Sequence, residues 1–211
     1  MSPRSRTEAA RVRLLTFVAS LSVALASCTG TPETIELHYP PHTEAHDEAP
    51  RPEGAPDVYV QIGSIVDARR GTRVGENRTD LGFHTDVIEA SNSVGTWVET
   101  GLAMEFERAG FEVVDVLDGV PDDARPLIVE GRLQRAYAAR RFYEEARLEL
   151  HAFVRCACHR KILLSRLYQA EVSVNEDSEV SGHAEALGRA LQRAAHELAH
   201  DAWDHTECDR R

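Results

Sequence analysis

Two stretches in the second half of the chain alternate with a period of two. Leu127, Val129, Gly131 and Leu133 interleave with Ile128, Glu130, Arg132 and Gln134. Ala146, Leu148, Leu150, Ala152, Val154 and Cys156 interleave with Arg147, Glu149, His151, Phe153 and Arg155. Successive side chains of a strand point to opposite faces, so this pattern specifies a sheet with one dry and one wet face. Ile162 to Val174 reads as the next strand, reached through the polar tip His159-Arg160-Lys161. Any fold for the chain has to accommodate this meander.

Upstream, Val58-Tyr59-Val60-Gln61-Ile62 alternates, is rich in β-branched residues and continues through Ile65-Val66, which predicts a first strand. Asp67 to Asn92 follows as a long irregular loop carrying Gly71, Gly75 and Gly82. Loops of that length inside a compact domain are uncommon and often functional. Ser93 is placed to cap a helix running to about Ala109, with Val94, Val98, Leu102 and Phe106 on one face and Gly110 as its stop. Phe111 to Leu117 predicts a second strand, parallel to the first because a helical crossover joins them. Asp118 to Pro126 is a turn-rich break, and Gly182 to about His205 is a final helix with Leu187, Leu191, Ala194, Leu198 and Ala202 as its apolar stripe. The expected fold is α+β: a mixed sheet of about five strands, in the order β-α-β-β-β-β-α, with two helices packed on one face. The domain is expected to span 58–211.

The chain before that domain has a different composition. Residues 28–57 hold Pro32, Pro40, Pro41, Pro50, Pro52 and Pro56 among acids, with few large apolar side chains. Such a segment predicts a partly extended tether. Before it, Arg4, Arg6, Arg11 and Arg13 precede the uncharged apolar run Leu14 to Ala26. A basic start followed by a short apolar run describes an export leader over 1–27, too short to span a bilayer comfortably. Leu25-Ala26-Ser27-Cys28 resembles the lipobox of bacterial lipoproteins. The resemblance implies cleavage before Cys28, a diacylglyceryl thioether on its sulfur, and two or three acyl chains holding the domain to a membrane. Thr29 rather than Asp after that cysteine implies the outer membrane, with the tether standing the domain off in the periplasm. The formal charge of −11 becomes more negative once the four leader arginines are removed. An acidic domain without a basic stripe is not expected to bind nucleic acid.

Val58 to Val114 resembles the YajG-like family of bacterial lipoproteins. The likeness rests on the first strand entering Val66-Asp67-Ala68-Arg69, the spaced Gly75 and Gly82, Thr85-Asp86-Val87-Ile88, and the helix ending in Ala109-Gly110-Phe111-Glu112-Val113. The Pro-rich tether and Cys156-Ala157-Cys158 depart from it. The family implies an outer-membrane lipoprotein whose periplasmic α/β domain has no assigned reaction.

Side chains able to carry chemistry are few. His196-Glu197-Leu198-Ala199-His200 is an HExxH, in which histidines one helical turn apart share zinc and the glutamate activates water. Helix phase places His196 and His200 opposite the apolar stripe, facing solvent. The metzincin continuation also fails, with Trp203 where Gly is needed and Thr206 where His is needed. An exposed polar face is therefore expected, and a zinc-dependent hydrolase is the rival. Of the remaining cysteines, Cys156 and Cys158 sit two apart on one predicted strand and pair poorly with each other; a bridge from one of them to Cys208 suits an exported domain. Cys156, Cys158, His205 and Cys208 also have the ligand types of a zinc site, though not the spacing of a zinc knuckle. Asp67 and Arg69 open the long loop and Asn77 lies within it; the loop is the candidate interaction surface, with Asp67 and Arg69 either meeting a ligand or pairing to hold the loop. No G-x-S-x-G, P-loop or dinucleotide fingerprint appears, and no cofactor is expected. The expectation is a non-enzymatic envelope lipoprotein, held to the membrane through Cys28, that engages an envelope protein. A small-ligand binding module is a further alternative.

Overall fold

In the computed structural model, residues 31–40, 57–79, 81–121, 124–174 and 182–206 are described. Their elements belong to one compact unit, Glu33–Arg211. The strands are β1 (Glu33–Ile35), β2 (Tyr59–Asp67), β3 (Arg73–Arg78), β4 (His84–Ala90), β5 (Glu112–Val113), β6 (Leu127–Arg140), β7 (Glu144–Cys156) and β8 (Ile162–Val174). The helices are α1 (Val94–Arg108) and α2 (Gly182–Trp203).

β6 is the spine. One edge pairs antiparallel with β7 over nearly its whole length, and β7 pairs with β8. The other edge pairs parallel with β2 over Leu127–Leu133 and then with β3 over Ala138–Arg140. β2 and β3 thus lie end to end along one partner. β5 extends the sheet beyond β2, and β4 then β1 extend it beyond β3.

The alternation read from the sequence survives intact in β7, where every second residue from Glu144 to Cys156 is buried. Leu148, Leu150, Ala152 and Val154 meet Leu127, Val129 and Leu133 of β6 beneath the helices. α2 packs on β6, β7 and β8, while α1 packs on β2, β5 and α2. Its apolar stripe, Leu187, Leu191, Ala194, Leu198 and Ala202, is buried as its phase requires. Ser93 caps α1 by accepting a hydrogen bond from the Thr96 amide at 3.3 Å, and Gly110 ends the turn at φ 88°. The face away from the helices carries cross-strand ion pairs, Arg155–Glu130 at 2.8 Å, Arg135–Glu149 at 3.3 Å and Arg147–Glu171 at 3.3 Å. Exposed pairs of this kind add little stability, and they mark a solvated face.

Three expectations need correction. Among the described residues the sheet has eight strands rather than five, because the supposed loop from Asp67 to Asn92 contains the β3–β4 hairpin and the supposed tether contains β1. β3 was hidden by its sequence, RVGENR: its buried positions are Val74, Gly75 and Glu76, not three apolar residues. Second, residues 33–40 are folded against the domain, not part of a free tether. Ile35 and Leu37 are buried, and the Leu37 amide and carbonyl bond both side-chain ends of Asn92, at 3.0 and 2.9 Å. Residues 1–30, which include the leader 1–27 and Cys28, and residues 41–56 lie outside the described residues. Third, the strand after α1 is parallel to β2 but shrinks to Glu112–Val113, since Asp115, Asp118 and Gly119 turn the chain away.

Candidate functional site

The break between β2 and β3 brings Asp67 and Arg69 together. Where a β-strand would have continued along β6, the chain bulges out, and the Arg69 guanidinium fills the gap. Its Nη1 donates to the carbonyls of Ala136 and Arg73, each at 3.2 Å, while Nε and Nη2 fork onto the Asp67 carboxylate at 2.9 and 2.8 Å. The Arg69 side chain is only 6% exposed. Burial opposes the charge on Asp67, but hydrogen bonds from the Arg69 side chain and backbone amide outweigh it and hold that carboxyl below its ordinary pKa. Most of the guanidinium is thereby committed to the fold. Beside it opens a cleft of about 370 Å³, lined by Asp67, Arg69, Thr72, Asn92, Ser93 and Val94. Asn77 is not part of it. It lies on β3, in register with Arg140 of β6 and Asp86 of β4, and its buried Oδ1 has no hydrogen-bond partner among the described residues.

The HExxH residues do not converge. Glu197 binds Arg166 of β8 at 2.7 Å, which also holds Asp201 at 2.6 Å. His196 turns toward α1, with Nδ1 3.4 Å from Glu105 Oε2, so it sits at the helix–helix seam and not wholly on a solvent face. His200 is exposed. Among the described residues, no group of three or more His, Cys, Asp or Glu side chains is gathered as a metal site. Cys156 is buried and disulfide-bonded and Cys158 is a free, exposed thiol; Cys208 lies outside the described residues, as does Cys28. A disulfide sulfur offers no thiolate, which removes Cys156 from the four-residue zinc set considered above. Trp97 is a core residue, and Trp203 stacks on Phe111 at 4.2 Å while donating to the Ala109 carbonyl at 2.8 Å.

Three buried carboxylates escaped the sequence reading. Glu76 is enclosed by Arg73, Arg78 and His84, with His84 Nδ1 at 2.8 Å. Glu105 accepts a hydrogen bond from the Tyr39 hydroxyl at 2.7 Å, which ties residues 33–40 to α1. Burial, then that hydrogen bond, raises the Tyr39 pKa. Glu144 Oε1 lies 3.4 Å from His183 Nδ1, at the start of α2. Burial depresses His183 to a pKa of about 4; Glu33 works against that shift and Arg140 adds to it. Glu105 and Glu144 read as ordinary surface residues in the linear chain because Tyr39 and His183 come from far along it, and Glu76 does so because its neighbours Arg73 and Arg78 are polar too.

Large apolar side chains are also exposed together at one end of the sheet: Leu81 and Phe83 in the β3–β4 turn, Phe142 and Tyr143 in the β6–β7 turn. The signal was present in the chain. Leu-Gly-Phe and Arg-Arg-Phe-Tyr-Glu stand where hairpin tips normally carry polar residues.

Among the described residues, no helix is long and apolar enough to cross a membrane. No family model matches the chain, and no curated protein matches it. Solved structures do. An uncharacterised protein is matched over 82% of this chain and 99% of its own, at 10% identity and TM-score 0.50. A DUF330 protein of Xanthomonas campestris is matched over 82% and 95%, at 15% identity and TM-score 0.49. A minor lipoprotein of Acinetobacter baumannii is matched over 69% and 92%, at 10% identity and TM-score 0.38. At such identities the likeness is one of fold alone.

Proposed function

We propose that the chain is a lipoprotein of the bacterial cell envelope, exported by residues 1–27, anchored by lipid on Cys28, and non-enzymatic, serving as an accessory or protein-interaction domain in the periplasm. One observation carries this reading: a basic start, an uncharged apolar run, small residues and a cysteine follow each other in the order that lipoprotein maturation requires. Two acyl chains make anchoring stable where one is marginal. The resemblance to YajG-like lipoproteins and the outer-membrane reading of Thr29 agree with it.

The structural reading supports interaction over catalysis. Asp67 and Arg69 are bound to each other and to the sheet, and the HExxH glutamate is held by an arginine, so neither set presents an activated nucleophile or base. An envelope partner is the expected occupant of the cleft beside Arg69.

Intact-mass measurement of the chain purified from membranes tests the anchor. A mature form beginning at Cys28 and carrying acyl mass is expected, and a Cys28→Ser form should be released from membranes. In-cell crosslinking of both forms tests the partner. Capture of an envelope protein at stoichiometric yield, dependent on Cys28, supports the interaction role. Tight stoichiometric zinc, lost in His196→Ala together with a hydrolytic activity, would replace it with the hydrolase reading.

A further inference from the structure

The register of the sheet fixes which end of the domain an anchored Cys28 brings to the bilayer. Backbone partners run across it in one line: Glu33 to Ile88, Ile88 to Gly75, Gly75 to Ala138, Ala138 to Ala146, Ala146 to Val172. Glu33 is therefore level with Ala138, next to the end of β6 at Arg140. The opposite end of β6, Leu127, lies roughly 36 Å away at the ordinary rise of a strand. β1 runs parallel to β4, so the chain preceding Glu33 leaves in the direction of the β3–β4 turn. Cys28 is five positions before Glu33, and a fully extended chain of that length reaches at most about 17 Å. Because residues 33–40 are docked on the domain, the Pro-rich stretch after them adds nothing to this reach.

At the end so defined stand two neighbouring hairpin tips. β3 and β6 are paired up to Asn77 and Arg140, which sets the turns beyond them side by side. Leu81 is 82% exposed, Phe83 67%, Phe142 56% and Tyr143 43%. The first tip is a built turn: the Thr79 amide bonds the Phe83 carbonyl at 2.9 Å, the Gly82 amide bonds the Thr79 carbonyl at 2.7 Å, and Gly82 takes φ 84°. In the second, the Arg141 guanidinium lies 5.0 Å from the Phe142 ring centre. Arg78, Arg140 and Arg141 flank the four apolar side chains, but Asp86 and Glu145 share this end, so charge alone does not direct it to an anionic surface.

We propose that these two tips form a membrane-contacting surface, with Leu81, Phe83, Phe142 and Tyr143 entering the headgroup–acyl boundary of the bilayer that holds the Cys28 lipid. The proposal rests on the lipoprotein reading above. Aromatic side chains and arginine stems suit that boundary, apolar in the body and polar at the tip. Burial of apolar surface drives the contact, so it is insensitive to whether the lipid is zwitterionic or anionic. The domain lies against the membrane by this end and does not hang from a long leash. Its far end, with Cys158 and the β7–β8 turn, faces away.

The test uses the full-length chain expressed with its own leader, purified in its lipidated form and reconstituted into phosphatidylcholine vesicles whose acyl chains carry bromine. Phe83→Trp and Phe142→Trp report on the tips and Ile162→Trp on the far end, each measured as the difference from the unsubstituted chain. Quenching of the first two several-fold above the third is expected, unchanged when phosphatidylglycerol is added. Equal quenching at all three positions, or none at the tips, overturns the proposal. So does a Phe142→Asp substitution that abolishes self-association while the tips remain unquenched, because a second copy then owns the surface. Intact mass separates the two ways of failing. A chain without acyl mass overturns the lipoprotein reading and this proposal together, whereas a lipidated chain with unquenched tips overturns this proposal alone.

Discussion

Replacing Arg69 with Ala tests whether the break in the sheet is held by one side chain. The substitution strips the Ala136 and Arg73 carbonyls of their donor and takes the partner from Asp67. A buried acceptor left unmade costs about 1–3 kcal/mol, and the 3.2 Å bond to the Ala136 carbonyl belongs at the low end of that range, whereas the Arg73 carbonyl is exposed and water replaces its donor. Asp67 is one-third exposed, so water recovers part of its loss and about 1 kcal/mol is assigned to it. The sum is a destabilisation of about 2 kcal/mol. Urea unfolding under non-reducing conditions, followed by fluorescence of the buried Trp97 and half-buried Trp203, reads this directly. With a slope of about 1–3 kcal/mol per molar, the midpoint falls by roughly 0.7–2 M. Arg69→Lys keeps a charge near Asp67 but cannot fork onto a carboxylate and reach two carbonyls together, so it should recover about half of the loss. A cost below about 1 kcal/mol for Arg69→Ala, or a lysine variant as stable as the parent, would refute the argument that the guanidinium completes the ladder. If stability holds and partner capture disappears, Arg69 is a recognition residue instead.

The other buried contacts give further tests. His183 is held neutral, with a folded pKa of about 4 against 6.5 when unfolded. Its contribution is fully present above pH 6.5 and is lost as pH falls through the folded value, by up to about 3 kcal/mol; His183→Gln should flatten the stability profile between pH 6.5 and 4. Tyr39→Phe removes the hydroxyl that donates to Glu105 and should cost about 1–3 kcal/mol in urea unfolding, with hydrogen exchange quickening at the Leu37 amide. The raised Tyr39 pKa has the opposite pH sense: its stabilisation is present below pH 10 and fades as pH climbs beyond. At Gly188 an added Cβ would stand 2.6 Å from Pro40 Cδ and 3.1 Å from the His38 carbonyl, so Gly188→Val should lift residues 38–40 and open them to limited proteolysis while the sheet stays folded.

Where burial follows a short repeat, the sequence was a sufficient guide. β7 is read residue by residue from its alternation, and the stripe of α2 from its phase. The failures have a common physical origin. β3 is half of a sheet whose other half arrives some sixty residues later, and Arg73, Glu76 and Arg78, close as they are in the chain, read as surface polar residues until that pairing encloses the carboxylate. The docked segment was obscured by averaging. Ile35, Leu37 and Tyr39 keep a period of two, but the prolines and acids around them dominate the composition. Of the candidate loop residues, Asp67 and Arg69 do meet, as the structural option in their reading allowed, whereas Asn77 belongs to a strand on the other side of the break. The exposed tips were visible as apolar residues in turn positions, yet their adjacency required the pairing of β3 with β6.

The sharing of β6 between two groups of strands also sets the order in which this chain can become folded. β2 with α1 and β5 makes one cluster; β1, β3 and β4 make another; neither closes against the other until Leu127 to Arg140 is available to both. Val60 waits for Leu127 and Gly75 for Ala138, separations at which loop closure is costly and folding slow. A nascent chain released before β6 holds only incomplete sheets with open edges, and it remains extensible for as long as that strand is missing. Delay of this kind is a hazard for a chain that stays where it was made, and an advantage for one that must be threaded through a narrow channel before it collapses.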